Sequence, residues 1–219
     1  MTMRTAQGAE TRRRILEAAA DLFHRQGVIR TSPDEIIEAS RTGKGQFYHY
    51  FKNKEQLVHE VLLAYLEAIR GGGGPLNYNI ESWPDLERWF TDQIVLQRQY
   101  RMTRGCPFGT IGNEVTENDE LIRSDLHLIF ELTRARIAAF LTREKAAGRL
   151  DPTVQEDQLA DFCLASIQGA MLLGKVKRSG ELVEGVVRET MTHLGRYALP
   201  SSLPLLSRRA SGEPFATSR

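Results

Sequence analysis

Cysteine is scarce in this sequence. The chain has two, Cys106 and Cys163, with no C-x-x-C pair and no clustered histidine. That pattern excludes a disulfide framework or a zinc site as the organising device. No apolar run reaches the ~18 residues of a membrane span. The opening residues, MTMRTAQGAETRRR, lack the apolar stretch of a signal peptide. The cytoplasm is therefore the expected compartment, and no membrane partner is expected. Charge of one sign is also lacking, with a formal net charge of +1 over 219 residues. HExxH, GxSxG and P-loop motifs are missing, and His24, His49, His59, His127 and His193 are scattered along the chain. No metal or cofactor is implied, and a small-molecule enzyme stands only as a distant alternative. An enzyme would need a base within hydrogen-bond reach of a nucleophile.

The charge that is present is unevenly placed. Residues 1–54 hold ten cations against six anions, which leaves the remainder net acidic. A basic head on a mildly acidic body fits a polyanion-binding domain joined to something else. Within that head, residues 31–54 read TSPDEIIEASRTGKGQFYHYFKNK. Ser32 can cap a helix with Pro33 at its first position, and Glu35 follows at the spacing of a capping box. Arg41-Thr42-Gly43 interrupts the pattern. A second short helix is expected from about Lys44 to Phe51, with Phe47, Tyr50 and Phe51 on one side. Lys44, Gln46, Tyr48 and His49 fall largely on the other side. That side mixes a cation, an amide, a phenol and an imidazole, and Gly43 and Gly45 leave its backbone bare. Such a face suits a helix entering the major groove: Gln46, Gly45 and Thr42 near bases, Lys44, Tyr48, His49 and Lys54 at phosphates. Ser32 and Pro33 lie at the start of the preceding helix and join the candidate DNA-binding set.

From Thr11 to Val61 the chain resembles the DNA-binding domain of the TetR family of bacterial transcription regulators. The matching segments are TRRRILEAAADLFHRQG, TSPDEIIEAS and GKGQFYHYFKNKEQLV, including the run K-G-x-x-Y-x-x-F-x-x-K formed by Lys44, Gly45, Tyr48, Phe51 and Lys54. The sequence departs from the family in the turn, where Gly-Val-Ser is replaced by Arg41-Thr42-Gly43. Arg41 is then asked to adopt whatever conformation the turn needs, a positive φ among them, and Thr42 is left as the available side-chain cap. The resemblance implies an all-α chain of about nine helices: a three-helix helix-turn-helix domain at 1–54, then a helical ligand-binding and dimerisation domain at 55–199. A disordered tail is expected at 200–219. It also implies a homodimer on palindromic double-stranded operator DNA, most simply a repressor released by a small effector.

Residues 1–10 lack a pattern and are expected to be mobile, with Thr11 capping the first helix. The fourth helix runs unbroken from Lys54 to Arg70. Gly71–Gly74 and Pro75 then mark a plain linker over 71–81. Further helices are expected from Trp83 to near Tyr100, from Cys106 to about Val115, from Asp119 to Gly148, from Asp151-Pro152 to about Arg178, and from Leu182 to Tyr197. The last two, at about 155–178 and 182–197, look too apolar for a monomer's surface and are the expected dimer helices. Small residues Ala165, Gly169, Ala170 and Gly174 would let two backbones approach. Tyr65, Trp89, Phe90, Phe108, Phe130 and Phe162 are candidate linings for a lipophilic effector, though each is also an ordinary core residue. Cys106, in a segment resembling the family's G-C-x-x-G, offers an alternative: a thiol-based redox or electrophile sensor, its thiolate favoured by a helix N-terminus, with Arg104 near in sequence and Lys175 as a neighbour. The plain reading of Cys106 is a small buried apolar residue.

Overall fold

In a computed structural model, which describes residues 3–199, the first helix α1 spans Met3–Gln26. Residues 3–10 are thus helical rather than a loose arm. Thr11 does not cap the helix; its hydroxyl donates to the Gln7 carbonyl one turn back, at 3.0 Å. Arg13 forms ion pairs with Glu10 and Glu17, three and four residues away, which ties successive turns together along this stretch. Gly27, at φ 86°, closes the helix as expected. The tail expected at 200–219 lies outside the described residues.

Eight further helices follow: α2 (Pro33–Ser40), α3 (Lys44–Tyr50), α4 (Lys54–Gly71), α5 (Trp83–Gln99), α6 (Pro107–Gly112), α7 (Glu120–Ala146), α8 (Glu156–Lys177) and α9 (Gly180–Gly195). Among the described residues there is no strand, only an isolated antiparallel bridge between Leu150 and Ala198. The first three helices close a small core around Ile15, Phe23, Ile36, Phe47 and Phe51. α4 begins where Asn53 Oδ1 accepts the Gln56 N–H at 2.7 Å, and it packs against both α1 and α7. It is therefore the covalent and mechanical link from head to body. Its His59 Nδ1 lies 2.7 Å from Asp125 Oδ2 on α7.

Two helix boundaries differ from expectation. Asp151-Pro152 opens a turn, not a helix: Asp151 Oδ1 accepts from the Thr153 N–H and hydroxyl at 2.8 and 2.6 Å, and α8 starts only at Glu156. α6 ends at Gly112 instead of reaching Val115. The stretch 71–81 is not a plain linker either. Leu76, Tyr78 and Ile80 are buried in alternation, so it forms a strap laid into the body. Val95 of α5 faces out.

α8 and α9 divide their apolar surface differently. Val183, Val187 and Leu194 of α9 are buried within the chain, and Arg98 of α5 pairs with Glu184 beside them. α8 keeps an uncovered stripe: Phe162, Leu172, Leu173 and Val176 are all exposed. Its length and hydropathy would also pass for a membrane span, because apolar side chains occupy both the inner face and this stripe. Of the small residues, Ala165 and Gly169 lie on the open face, while Ala170 and Gly174 pack inside, Gly174 against Val183.

Candidate nucleic-acid interface and head–body junction

The α2–turn–α3 unit is assembled by local hydrogen bonds. Ser32 Oγ accepts the Glu35 N–H at 3.3 Å, and Glu35 Oε2 accepts the Ser32 N–H at 2.7 Å, with Pro33 at the first helical position. α2 ends on Arg41, whose φ and ψ of 53° and 45° are left-handed. The Thr42 N–H then reaches the Ile37 carbonyl at 3.1 Å, a closure that normally selects glycine. Thr42 does not cap α3. Its hydroxyl is 2.8 Å from that of Ser40, and Gly43 holds the N-cap position, its N–H donating to Gln46 Oε1 at 3.4 Å.

The seven residues of α3 split as their chemistry demands. Phe47 and the following Phe51 are buried, while Lys44, Gly45, Gln46, Tyr48 and His49 are exposed. Around Gly43 and Gly45, the space a β-carbon would occupy is open to 4 Å. Tyr48 stands edge-on to Phe47, ring centroids 5.2 Å apart, which steadies an exposed phenol over a buried ring. Lys44 makes one weak contact, 3.5 Å to Asp34, with both groups well exposed. Lys54, at the start of α4, donates to the Ile29 carbonyl at 3.4 Å. The outward side of α3 thus has donors, an acceptor and bare backbone, with few internal partners to compete for them.

Head and body meet at a polar junction. Glu114, after α6, accepts the backbone N–H groups of Val28 and Ile29 at 2.6 and 3.1 Å. His24 Nε2 donates to the Gly105 carbonyl at 2.8 Å, and Gln97 brackets Gly105 from α5, giving its amide to that carbonyl (2.7 Å) and accepting its N–H (2.9 Å). Since a carbonyl can only accept, Nε2 carries the proton of a neutral imidazole. Burial, first, pulls the His24 pKa below its ordinary value, and Arg104 and Lys175 add to this. Arg104 pairs with Asp21 at 2.6 Å and lies over the Tyr100 ring at 4.2 Å. Beside these contacts is a cavity of about 770 Å³, lined by Arg25, Arg30, Arg104, Lys175, Glu35 and Glu114 among others.

The six candidate lining aromatics fall into three places, none on that cavity. Tyr65, Phe108 and Phe130 come together, with Tyr65 edge-on to Phe108 at 5.2 Å and Phe108 to Phe130 at 6.2 Å. Trp89 and Phe90 are fully packed core, 5.0 Å apart. Phe162 lies apart on the open face of α8, its ring tilted against that of His193 with centroids 4.9 Å apart. Burial pushes the Tyr65 hydroxyl up to about 12, and the Tyr78 hydroxyl is raised too. The Trp89 indole N–H is buried without a hydrogen-bond partner. Tyr78 was not among the sequence candidates; the alternation Leu76-x-Tyr78-x-Ile80 is the signal that could have found it. Cys106 sits at the N-cap of α6, but burial pushes its thiol up, a larger effect than the bonds that favour the thiolate. Lys175 and Cys106 both line the junction cavity, and the Lys175 Cδ would lie 3.4 Å from a β-carbon on Gly105, the residue before Cys106.

Comparison with known proteins agrees with this arrangement. The family model described as bacterial regulatory proteins, tetR family, matches residues 15–61, and that of the tetracyclin repressor-like C-terminal domain matches residues 84–190. An uncharacterised HTH-type transcriptional regulator from the lacX 3′ region of Lactococcus lactis is 28% identical over 80% of this chain and 88% of its own length. The HTH-type transcriptional repressor DhaR of Mycobacterium sp. strain GP1 is 25% identical over 87% and 93%. The crystal structure of a regulatory protein TetR from Rhodobacter sphaeroides superposes with a TM-score of 0.73 at 24% identity, covering 83% of this chain and 97% of that one. An all-helical body carrying an outward-facing helix-turn-helix is the build of a DNA-binding transcription regulator. The chain belongs to the TetR family, whose members bind operator DNA and form dimers.

Proposed function

We propose that the protein is a homodimeric repressor that binds a palindromic operator through α3 and is released by a small effector held in the body. The observation carrying the DNA assignment is the open side of α3: Gln46, Tyr48 and His49 exposed beside two glycines with nothing within 4 Å. Gln46 and Gly45 approach base edges; Lys44, Tyr48 and His49 hold phosphates, with Lys54, Ser32 and Pro33 at the flanks. The uncovered stripe of α8 supports pairing with a second copy, α9 contributing at its edge. The two recognition helices are then spaced about one DNA turn, ~34–36 Å. Such a regulator acts in the cytoplasm.

For the effector, the support is the cluster of Tyr65 on α4, Phe108 on α6 and Phe130 on α7, which a largely apolar molecule would complement. It acts on DNA by favouring a state in which α4 is shifted and the heads are misspaced, since only differential affinity moves such an equilibrium. The test is fluorescence anisotropy with the protein's own promoter over a salt series. Tyr48→Phe should weaken every duplex alike, while Gln46→Ala should change sequence preference. Promoter binding no tighter than scrambled DNA at low salt rejects the reading.

A second reading rests on Cys106 and Lys175 lining one cavity that opens to solvent. Here the Cys106 sulfur attacks a peroxide from the medium and the O–O bond breaks. A sulfenic acid forms, water or an alcohol leaves, and the added oxygen disturbs the adjacent head–body contacts. Burial of the thiol slows this step. A Cys106→Ser protein that still releases DNA under peroxide as the parent does removes it.

A further inference from the structure

We infer that the junction cavity is a binding site for a small organic anion, bearing carboxylate or phosphate, held between Arg25 and Arg30 of the head and Arg104 and Lys175 of the body. The volume of about 770 Å³ is within the range of small-molecule sites. The wall is charged, with four cations against two carboxylates. Among the described residues Arg25, Arg30 and Lys175 have no ion-pair partner, and Arg104 has only Asp21. The two carboxylates on the wall are turned to other donors. Glu114 takes the Val28 and Ile29 N–H groups. Glu35 takes the Ser32 N–H at 2.7 Å and the Gln26 amide at 3.2 Å. Glu35 offsets Arg25 only at a distance, without an ion pair, so the four cations still outnumber the two wall carboxylates.

Four cations around one partly enclosed space repel one another more than they would in open water, because the effective dielectric constant is lower. At the same junction the charged form of His24 is disfavoured first by burial and then by Arg104 and Lys175, with Asp21 opposing. An anion in the cavity relieves the repulsion and gains charge-assisted hydrogen bonds from guanidinium groups. Its contacts come from both sides: α1 and the turn after it on one, α8 and the segment before α6 on the other. Occupancy therefore ties the head to the body. This site is separate from the aromatic interior, and the inference does not depend on an effector binding there.

The test is calorimetric titration of the full-length protein with citrate and, separately, glycerol 3-phosphate, at fixed ionic strength set with sodium chloride. One of the two should bind saturably at one per chain; which one binds distinguishes carboxylate from phosphate. Arg30→Ala and Lys175→Met should each weaken that binding about tenfold. Lys177→Met, on the same helix but off the cavity wall, should leave it unchanged. Asn113→Lys adds a cation to the wall and should tighten binding, so the inference stays testable if a loss variant folds poorly. No saturable binding of either anion, or equal weakening by Lys177→Met, overturns it. No DNA enters the measurement, so its failure would leave the operator reading standing.

Discussion

Glu114 accepts the backbone N–H of Val28 at 2.6 Å, so a body side chain holds the corner where α1 turns toward α2. The arrangement needs glycine at 27. That residue has φ 86°, and a β-carbon there would collide with the Glu114 carboxylate. Gly27→Ala should therefore destabilise the protein by about 1–2 kcal/mol from the left-handed backbone alone, measured by chemical unfolding. Glu114→Gln should keep the fold but weaken a charge-assisted pair of bonds, so amide exchange at Val28 and Ile29 should rise about tenfold. Unchanged exchange would mean the carboxylate is incidental.

Arg41 occupies a left-handed position at φ 53°. That costs an L-residue roughly 1–2 kcal/mol, while glycine's extra unfolded freedom costs roughly 0.5–1 kcal/mol. Arg41→Gly should thus stabilise the head by on the order of 0.5 kcal/mol, seen as a small rise in Tm. Loss of stability would show that the Arg41 side chain contributes more than its backbone costs.

Stability should also fall in mild acid. His24 has a folded pKa below its ordinary 6.5, caused first by burial, with Asp21 and the bond to Gly105 opposing and Arg104 and Lys175 assisting. The unfolded chain therefore takes up a proton below about 6.5 where the folded chain does not. The stabilisation from neutral His24 is complete above that value and is lost as pH drops toward the folded pKa. Between pH ~7.5 and ~5, the Tm of His24→Gln, which keeps an amide donor for Gly105, should decline less than that of the parent. Parallel slopes would assign the acid sensitivity elsewhere.

Val176 is 72% exposed at the end of the α8 stripe. Val176→Glu should cost the single chain little and dissociate the dimer, read by sedimentation at micromolar concentration. Operator affinity should fall with it, because two half-sites are no longer linked. A variant that remains dimeric would move the interface off this stripe.

The head was largely legible because its signals are local. Ser32 and Glu35, Arg41 in the turn, and the split of α3 between Phe47 and Tyr48 each follow from spacings of a few residues. The body yielded helices but not their partners. Trp89 and Phe90 have the composition of a pocket wall and are instead packed core, a distinction set by neighbours distant in sequence. The junction was illegible for the same reason. Glu114 finds Val28 across 86 positions, and nothing around either residue announces the meeting. Small residues on α8 were visible, yet only packing decides that Gly169 faces out while Gly174 faces Val183.

The glycines after α4 have a mechanical consequence. Gly72 and Gly74 take positive φ, and neither has a neighbour within 4 Å of where a side chain would begin. Beyond them Leu76, Tyr78 and Ile80 are anchored. Gly72 and Gly73 both give their N–H groups to the Ala68 carbonyl, so backbone bonds pin the rod of α4 at its far end, ahead of the anchored strap.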